Sequence, residues 1–190
     1  MTAAFPSHVF VLCTGRCGST TLARACGHLT NWTAGHESRT HEIGPARLAY
    51  PPRHIEVDNR LAWFLGRLNQ SHGDRAAYVH LTRDPEAVAR SFARRASHGI
   101  FRAYRTQVLA RSARLRPDRA PLDAARDYVE TVTANIVHFL ADKSHVLPVR
   151  LESLSADGAR FLDWIGAEGD LAAARATLGL VHNASKSPSP

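Results

Sequence analysis

The segment His8-Val9-Phe10-Val11-Leu12-Cys13-Thr14 is an unbroken apolar run of strand length. Gly15-Arg16-Cys17-Gly18 follows at once, and then a helical pattern from Ser19 to about Leu29. A run apolar on both faces belongs inside a sheet that is covered on both sides. A strand that turns through glycines directly into a helix is the opening unit of a parallel α/β domain. Nothing else in the chain narrows the fold as far.

The rest of the sequence continues the alternation. A short strand is expected around Trp32–His36, and Glu37–Asp58, rich in Gly, Pro, His and Arg, reads as a long loop of the kind that tends to be functional. Asp58 or Asn59 can cap a helix whose apolar positions include Leu61, Phe64, Leu65 and Leu68. Ala77–Thr82 gives another buried-type strand, and Asp84-Pro85 opens a helix to about Ser97. Gly99 interrupts before a basic stretch. From Pro121 to Lys143 the apolar residues Leu122, Ala125, Val129, Val132, Ile136 and Phe139 fall at steps of three and four, one stripe of a long amphipathic helix. A strand at His145–Leu151 precedes helices at about Asp157–Ile165 and Asp170–Leu180. The expectation is one three-layer, P-loop-like α/β domain over residues 1–184, with a mainly parallel central sheet flanked by helices. Residues 185–190 read as a flexible, solvated tail.

Composition excludes more than it selects. No stretch approaches the roughly eighteen apolar residues needed to span a bilayer. The first apolar run lacks a basic lead and reads as a strand rather than a signal peptide. Three cysteines cannot all pair, and Cys13, Cys17 and Cys26 all sit in the opening unit, which points to a reducing cytoplasm. His and Cys do not fall at paired ligand spacing, so no metal is expected. Lys plus Arg exceed Asp plus Glu by 24 to 17, and only Lys143 and Lys186 are lysines. Arginine suits bidentate contacts with phosphate or sulfate, so the balance permits an anionic ligand. The basic stretch from Arg94 to Arg116 reads as a solvated face or as a wall on the acceptor side. Few aromatics interleave it, so it is not a nucleic-acid platform.

The turn Gly15-Arg16-Cys17-Gly18-Ser19-Thr20-Thr21 is equipped to hold an anion. Glycines let backbone N–H groups converge, the helix start adds a positive dipole end, the hydroxyls add donors and Arg16 adds charge. It is not a Walker A loop. Aligning Gly18 with the second glycine of that motif puts Cys13 at the first and Ser19 at the lysine. No acidic residue ends the Tyr78–Thr82 segment to hold magnesium, since Arg83 follows and Asp84 serves as a cap.

The loop resembles the 5′-phosphosulfate loop of sulfotransferases that use 3′-phosphoadenylylsulfate (PAPS), closest to the carbohydrate-type and bacterial branches. His80-Leu81-Thr82-Arg83-Asp84-Pro85 followed by Ser91 resembles that family's 3′-phosphate motif. The resemblance covers about Phe5 to Leu154, with weaker support from Val149–Leu154. It implies that Gly15, Arg16, Cys17, Gly18, Ser19, Thr20 and Thr21 hold the phosphosulfate, that Arg83 and Ser91 hold the 3′-phosphate, and that PAP is the product. It also implies catalysis by Arg16 on the leaving phosphate and by Glu37 as base, at the end of the second strand, with His36 as the neighbouring alternative. His41 and His54 are weaker candidates. The Gly-rich C-terminal segment of cytosolic family members is not evident; His182–Lys186 is the segment in its place.

The implied acceptor is a hydroxyl, or an amine, of a carbohydrate or small molecule, with no nucleic-acid partner; the oligomeric state stays open. Two other readings also stay open: a small-molecule P-loop kinase with a degenerate phosphate loop, and a non-catalytic PAP- or nucleotide-binding domain.

Overall fold

A computed structural model describes residues 5–109 and 121–180. Positions 110–116 of the basic stretch, His182–Lys186 and the Ser185–Pro190 tail lie outside the described residues. Five strands form one sheet: β1 (His8–Leu12), β2 (Thr33–His36), β3 (His54–Val57), β4 (Ala77–Thr82) and β5 (Val146–Arg150). Their order is β2-β3-β1-β4-β5, and every neighbouring pair is parallel. The helices are α1 (Ser19–Cys26), α2 (Leu65–Ser71), α3 (Pro85–Ala93), α4 (Gly99–Ala103), α5 (Pro121–Leu140), α6 (Leu154–Trp164) and α7 (Leu171–Leu178). Among the described residues no helix is long and apolar enough to cross a membrane.

The two faces of β1 explain the three layers. Phe10 and Leu12 point into a core with Leu68, Tyr78, Phe92, Phe101, Tyr128 and Ile136, the side covered by α2, α3, α4 and α5. Val9 and Val11 point the other way, into Leu22, Ile55, Val79, Phe161 and Leu178, the side covered by α1, α6 and α7. Side chains that alternate across a strand fill both cores only if the strand is central. Each fully buried Leu, Ile or Phe contributes about 1.5–3 kcal/mol. The apolar stripe of α5 is spent on this packing: Ala125, Val129, Val132, Ile136 and Phe139 are all buried, and Tyr128 donates to the Thr14 carbonyl at 3.0 Å.

Glu37–Asp58 is not one long loop. It contains the 3₁₀ turn Gly44–Leu48 and then β3, which lies between β2 and β1. Periodicity conceals this strand because one face is polar: His54, Glu56 and Asp58 are buried opposite the apolar Ile55 and Val57. Each polar group has partners, and that makes its burial tolerable. Glu56 accepts from the Ser38 N–H at 2.7 Å and from the Ser38 hydroxyl at 2.5 Å, and contacts His54 Nε2 at 3.0 Å. Asp58 pairs with Arg47 and accepts from the Arg60 N–H at 2.7 Å, capping the 3₁₀ turn Asn59–Trp63.

Helix boundaries also shift. Helix α3 stops at Ala93, short of Ser97, and Gly99 begins α4 with a φ of 59° rather than merely breaking the chain. Helix α6 starts at Leu154, ahead of Asp157, because Asp157 faces back and accepts from the Arg150 N–H and the Ser153 hydroxyl.

Candidate functional site

A cavity of about 470 Å³ opens at the carboxyl ends of β1, β4 and β5. Its walls come from the turn after β1 (Arg16, Gly18 to Thr21), from Arg83 after β4, from Ser91 and Arg94 on α3 and its end, and from Leu151–Ala156 with the end of α7. Carboxyl ends of parallel strands are where an open α/β sheet holds ligands.

The turn has the geometry its glycines imply. Gly15, Arg16 and Gly18 all have positive φ, at 85°, 61° and 90°. A side chain at Gly15 would put its Cβ 2.5 Å from Asn59 Nδ2, and one at Gly18 would lie 2.6 Å from Leu151 Cδ1. So the turn is seated tightly between the end of β3 and the end of β5. Gly18, the N-cap of α1, makes no side-chain cap bond, and a helix start carries partial positive charge on its first N–H groups. Gly18, Ser19, Thr20 and Thr21 line the cavity; Gly15 packs away from it, toward Asn59 and Phe92.

Cys17 points into the core. It is fully buried with Cys13 and Cys26, so only its backbone is available to a ligand. A hydrogen bond with Cys17, followed by burial, pushes the Cys13 thiol well above its ordinary range, and burial pushes Cys26 up to about 12. Both therefore pack as neutral thiols.

The structure joins two motifs that the sequence holds far apart. Arg16 donates through Nε to the Ser91 hydroxyl at 3.0 Å, and Arg83 Nη1 donates to the Arg16 carbonyl at 3.2 Å. Ser91 is only 1% exposed. The two groups expected to form separate anion sites share one cavity. Its charge is one-sided. Burial first, and then the charges of Arg95, Arg83 and Arg94, lower the Arg16 guanidinium from its ordinary value. Glu152 is the one carboxylate among the described lining residues, and it accepts the Asp84 N–H at 2.7 Å.

His36 and Glu37 stand beside this cavity and are not among its lining residues. His36 Nε2 lies 3.2 Å from the Ser19 hydroxyl, so it reaches the first residue of α1. Glu37 has a φ of 55°, and its carboxylate pairs with Arg60. Of the weaker candidates, His41 is exposed beside Glu42, and His54 is buried between Thr33 and Glu56.

Arg94 is the wall residue that sequence patterning did not separate from its neighbours. The available signal was its place three residues after Ser91, on the same helical face. Among the described residues no group of three or more His, Cys, Asp or Glu side chains is arranged to hold a metal ion. Comparison with protein-family models, curated proteins and solved structures gives no match for this chain.

Proposed function

We propose that the chain is a PAPS-dependent sulfotransferase acting on a hydroxyl or amine of a carbohydrate or small-molecule acceptor. One observation carries the reading: Arg16 of the Gly-rich turn bonds to Ser91 while Arg83 bonds to the Arg16 backbone, in a cavity with excess positive charge. A donor with phosphates on both sides of its ribose suits a cavity that draws cations from two separate strand ends.

In this scheme the bridging S–O bond of the donor breaks as the acceptor oxygen or nitrogen bonds to sulfur. The charge released on the leaving phosphate is met by Arg16 and the N–H groups at the start of α1. The acceptor proton passes to a base. His36 is already in contact with Ser19, whereas Glu37 must first release Arg60. We therefore assign the proton to His36, with Glu37 as the competing base.

A PAP-binding module without catalysis is the second reading, and the occupied Glu37 carboxylate favours it. Calorimetry with PAP and with ATP, each with and without magnesium, tests both. Metal-independent PAP binding that is lost in Arg16→Ala and Arg83→Ala supports the donor site. Magnesium-dependent ATP binding without PAP binding would overturn it in favour of a kinase. Assay of the same protein with PAPS and candidate acceptors separates enzyme from binding module.

A further inference from the structure

A second cavity, of about 450 Å³, shares no lining residue with the first. It is a groove between the 3₁₀ turn Asn59–Trp63 and α2 on one side and the end of α5 on the other. Small-molecule sites span roughly 300–1,000 Å³, so its size suits one. Sequence spacing builds both walls. Ala62, Leu65, Gly66 and Asn69 follow one another at steps of three, one and three, and Asn135, His138, Phe139 and Asp142 repeat that spacing. Such steps bring residues to one helical face.

Three observations define what the groove can hold. The first is an exposed aromatic: Trp63 is 39% exposed, whereas Trp32 is 3%. Its indole is backed by Tyr104, with ring centroids 6.0 Å apart, and Tyr104 is pinned by a 2.5 Å bond to Asp127. The second is a set of unspent polar groups. The Asn69 and Asn135 amides, the His138 imidazole and the Trp63 indole N–H make no hydrogen bond among the described residues. An amide both donates and accepts, as a hydroxyl does. The third is charge balance. The Lys143 side chain is 4% exposed; its ammonium lies over the Phe139 ring and pairs with Asp142. The groove's one lysine and one carboxylate therefore cancel, and nothing in that pair selects an ionic ligand.

We propose that this groove is a second binding site, for a neutral saccharide: Trp63 stacks on the C–H face of a sugar ring while Asn69, Asn135 and His138 bind its hydroxyls. A sugar ring has an apolar face and an edge of groups that both donate and accept. The groove matches that pattern with one aromatic platform and several two-way polar groups. The proposal stands whether or not the first cavity takes PAPS. Gly66 gives a means of testing it: a side chain there meets no atom within 4 Å, so it enters the open groove without displacing the fold.

The test is titration of the ¹⁵N-labelled full chain with cellotetraose and with maltotetraose, followed by two-dimensional NMR. The expected result is a saturable shift of the Trp63 indole and of the Asn69 and Asn135 amides with at least one sugar, at a Kd on the order of 1 mM. The Trp32 and Trp164 indoles should not move. Gly66→Leu, which fills the groove, and Trp63→Ala, which removes the platform, should each weaken binding at least about tenfold on the Asn135 signal, with the melting temperature checked for both. No saturable shift with either sugar would overturn the proposal. So would shifts that survive either substitution, since the sugar would then bind elsewhere. Tighter binding of a heparin tetrasaccharide would overturn the preference for a neutral ligand, and an amphipathic helical peptide that shifts these signals when neither sugar does would assign the groove to a protein partner instead.

Discussion

Arg16 Nε and the Ser91 hydroxyl lie 3.0 Å apart across 75 residues of chain, and this bond makes the turn after β1 and the helix after β4 one unit. Ser91 is buried, so its hydroxyl is held for Arg16 rather than for water. Ser91→Ala should reduce PAP affinity about tenfold, close to 1.4 kcal/mol. Arg16→Ala, which also removes the charge, should cost on the order of a hundredfold. Calorimetry measures both. Unchanged affinity in Ser91→Ala would show that the bond does not organise the site.

The turn itself depends on Gly18. Its φ of 90° is unfavourable for any residue with a Cβ, and that Cβ would also press on Leu151. Gly18→Ala should cost about 1–3 kcal/mol in urea unfolding. Gly44→Ala is the control, because Gly44 also has positive φ but has open space around it. It should show the backbone strain alone, about 1–2 kcal/mol, with PAP affinity unaltered. Equal costs at both sites would mean that the Leu151 contact adds nothing.

Catalysis separates His36 from Glu37. Removing a general base typically costs 10²- to 10⁴-fold in rate, roughly, with little change in donor binding. His36→Ala should show that pattern in turnover assays with PAPS and an acceptor. Glu37→Gln should lose less, because a glutamine can still accept from Arg60. If Glu37→Gln is instead the more damaging change, the base is Glu37.

Acid stability should report on Glu56. Burial alone would raise this carboxyl, but hydrogen bonds from His54 and Ser38 outweigh it and hold Glu56 below the ordinary glutamate range. A carboxylate depressed by folding contributes stability that is present above its unfolded value, about 4.3, and is lost as the pH falls through its folded value. The melting temperature of wild type should therefore drop more steeply below about pH 4 than that of Glu56→Gln. Parallel curves for the two proteins would remove Glu56 from the account.

Strands β1 and β4 were legible because both are apolar runs bounded by turn residues, and buried parallel strands look like that. Strand β3 was not legible. His54-Ile55-Glu56-Val57 follows Pro51-Pro52-Arg53 and carries a glutamate that is fully buried, a placement that makes sense only once Ser38 and His54 are seen around it. At the candidate site, Gly15–Thr21, Arg83 and Ser91 could be found from local chemistry at strand ends. The convergence of Arg16 on Ser91 could not, because it depends on which strands become neighbours. Arg94 was hidden for a related reason. In sequence it is one arginine in a basic stretch, and only the folded arrangement of α3 beside the turn after β1 places it in the cavity wall.

The sheet order has a consequence for how the chain acquires its structure. Strand β1 comes first, yet its partners are β3 and β4, and β4 in turn waits for β5 beyond the long helix α5. No strand pairs with its partner through a hairpin, so early contacts between strands are all distant ones. Loop closure must precede any gain from pairing, which predicts slow folding relative to helical proteins of this size. During synthesis, the apolar segment His8–Leu12 emerges long before Ala77–Thr82 can cover its second edge. That interval is when the nascent chain is most exposed to aggregation and has most to gain from a chaperone.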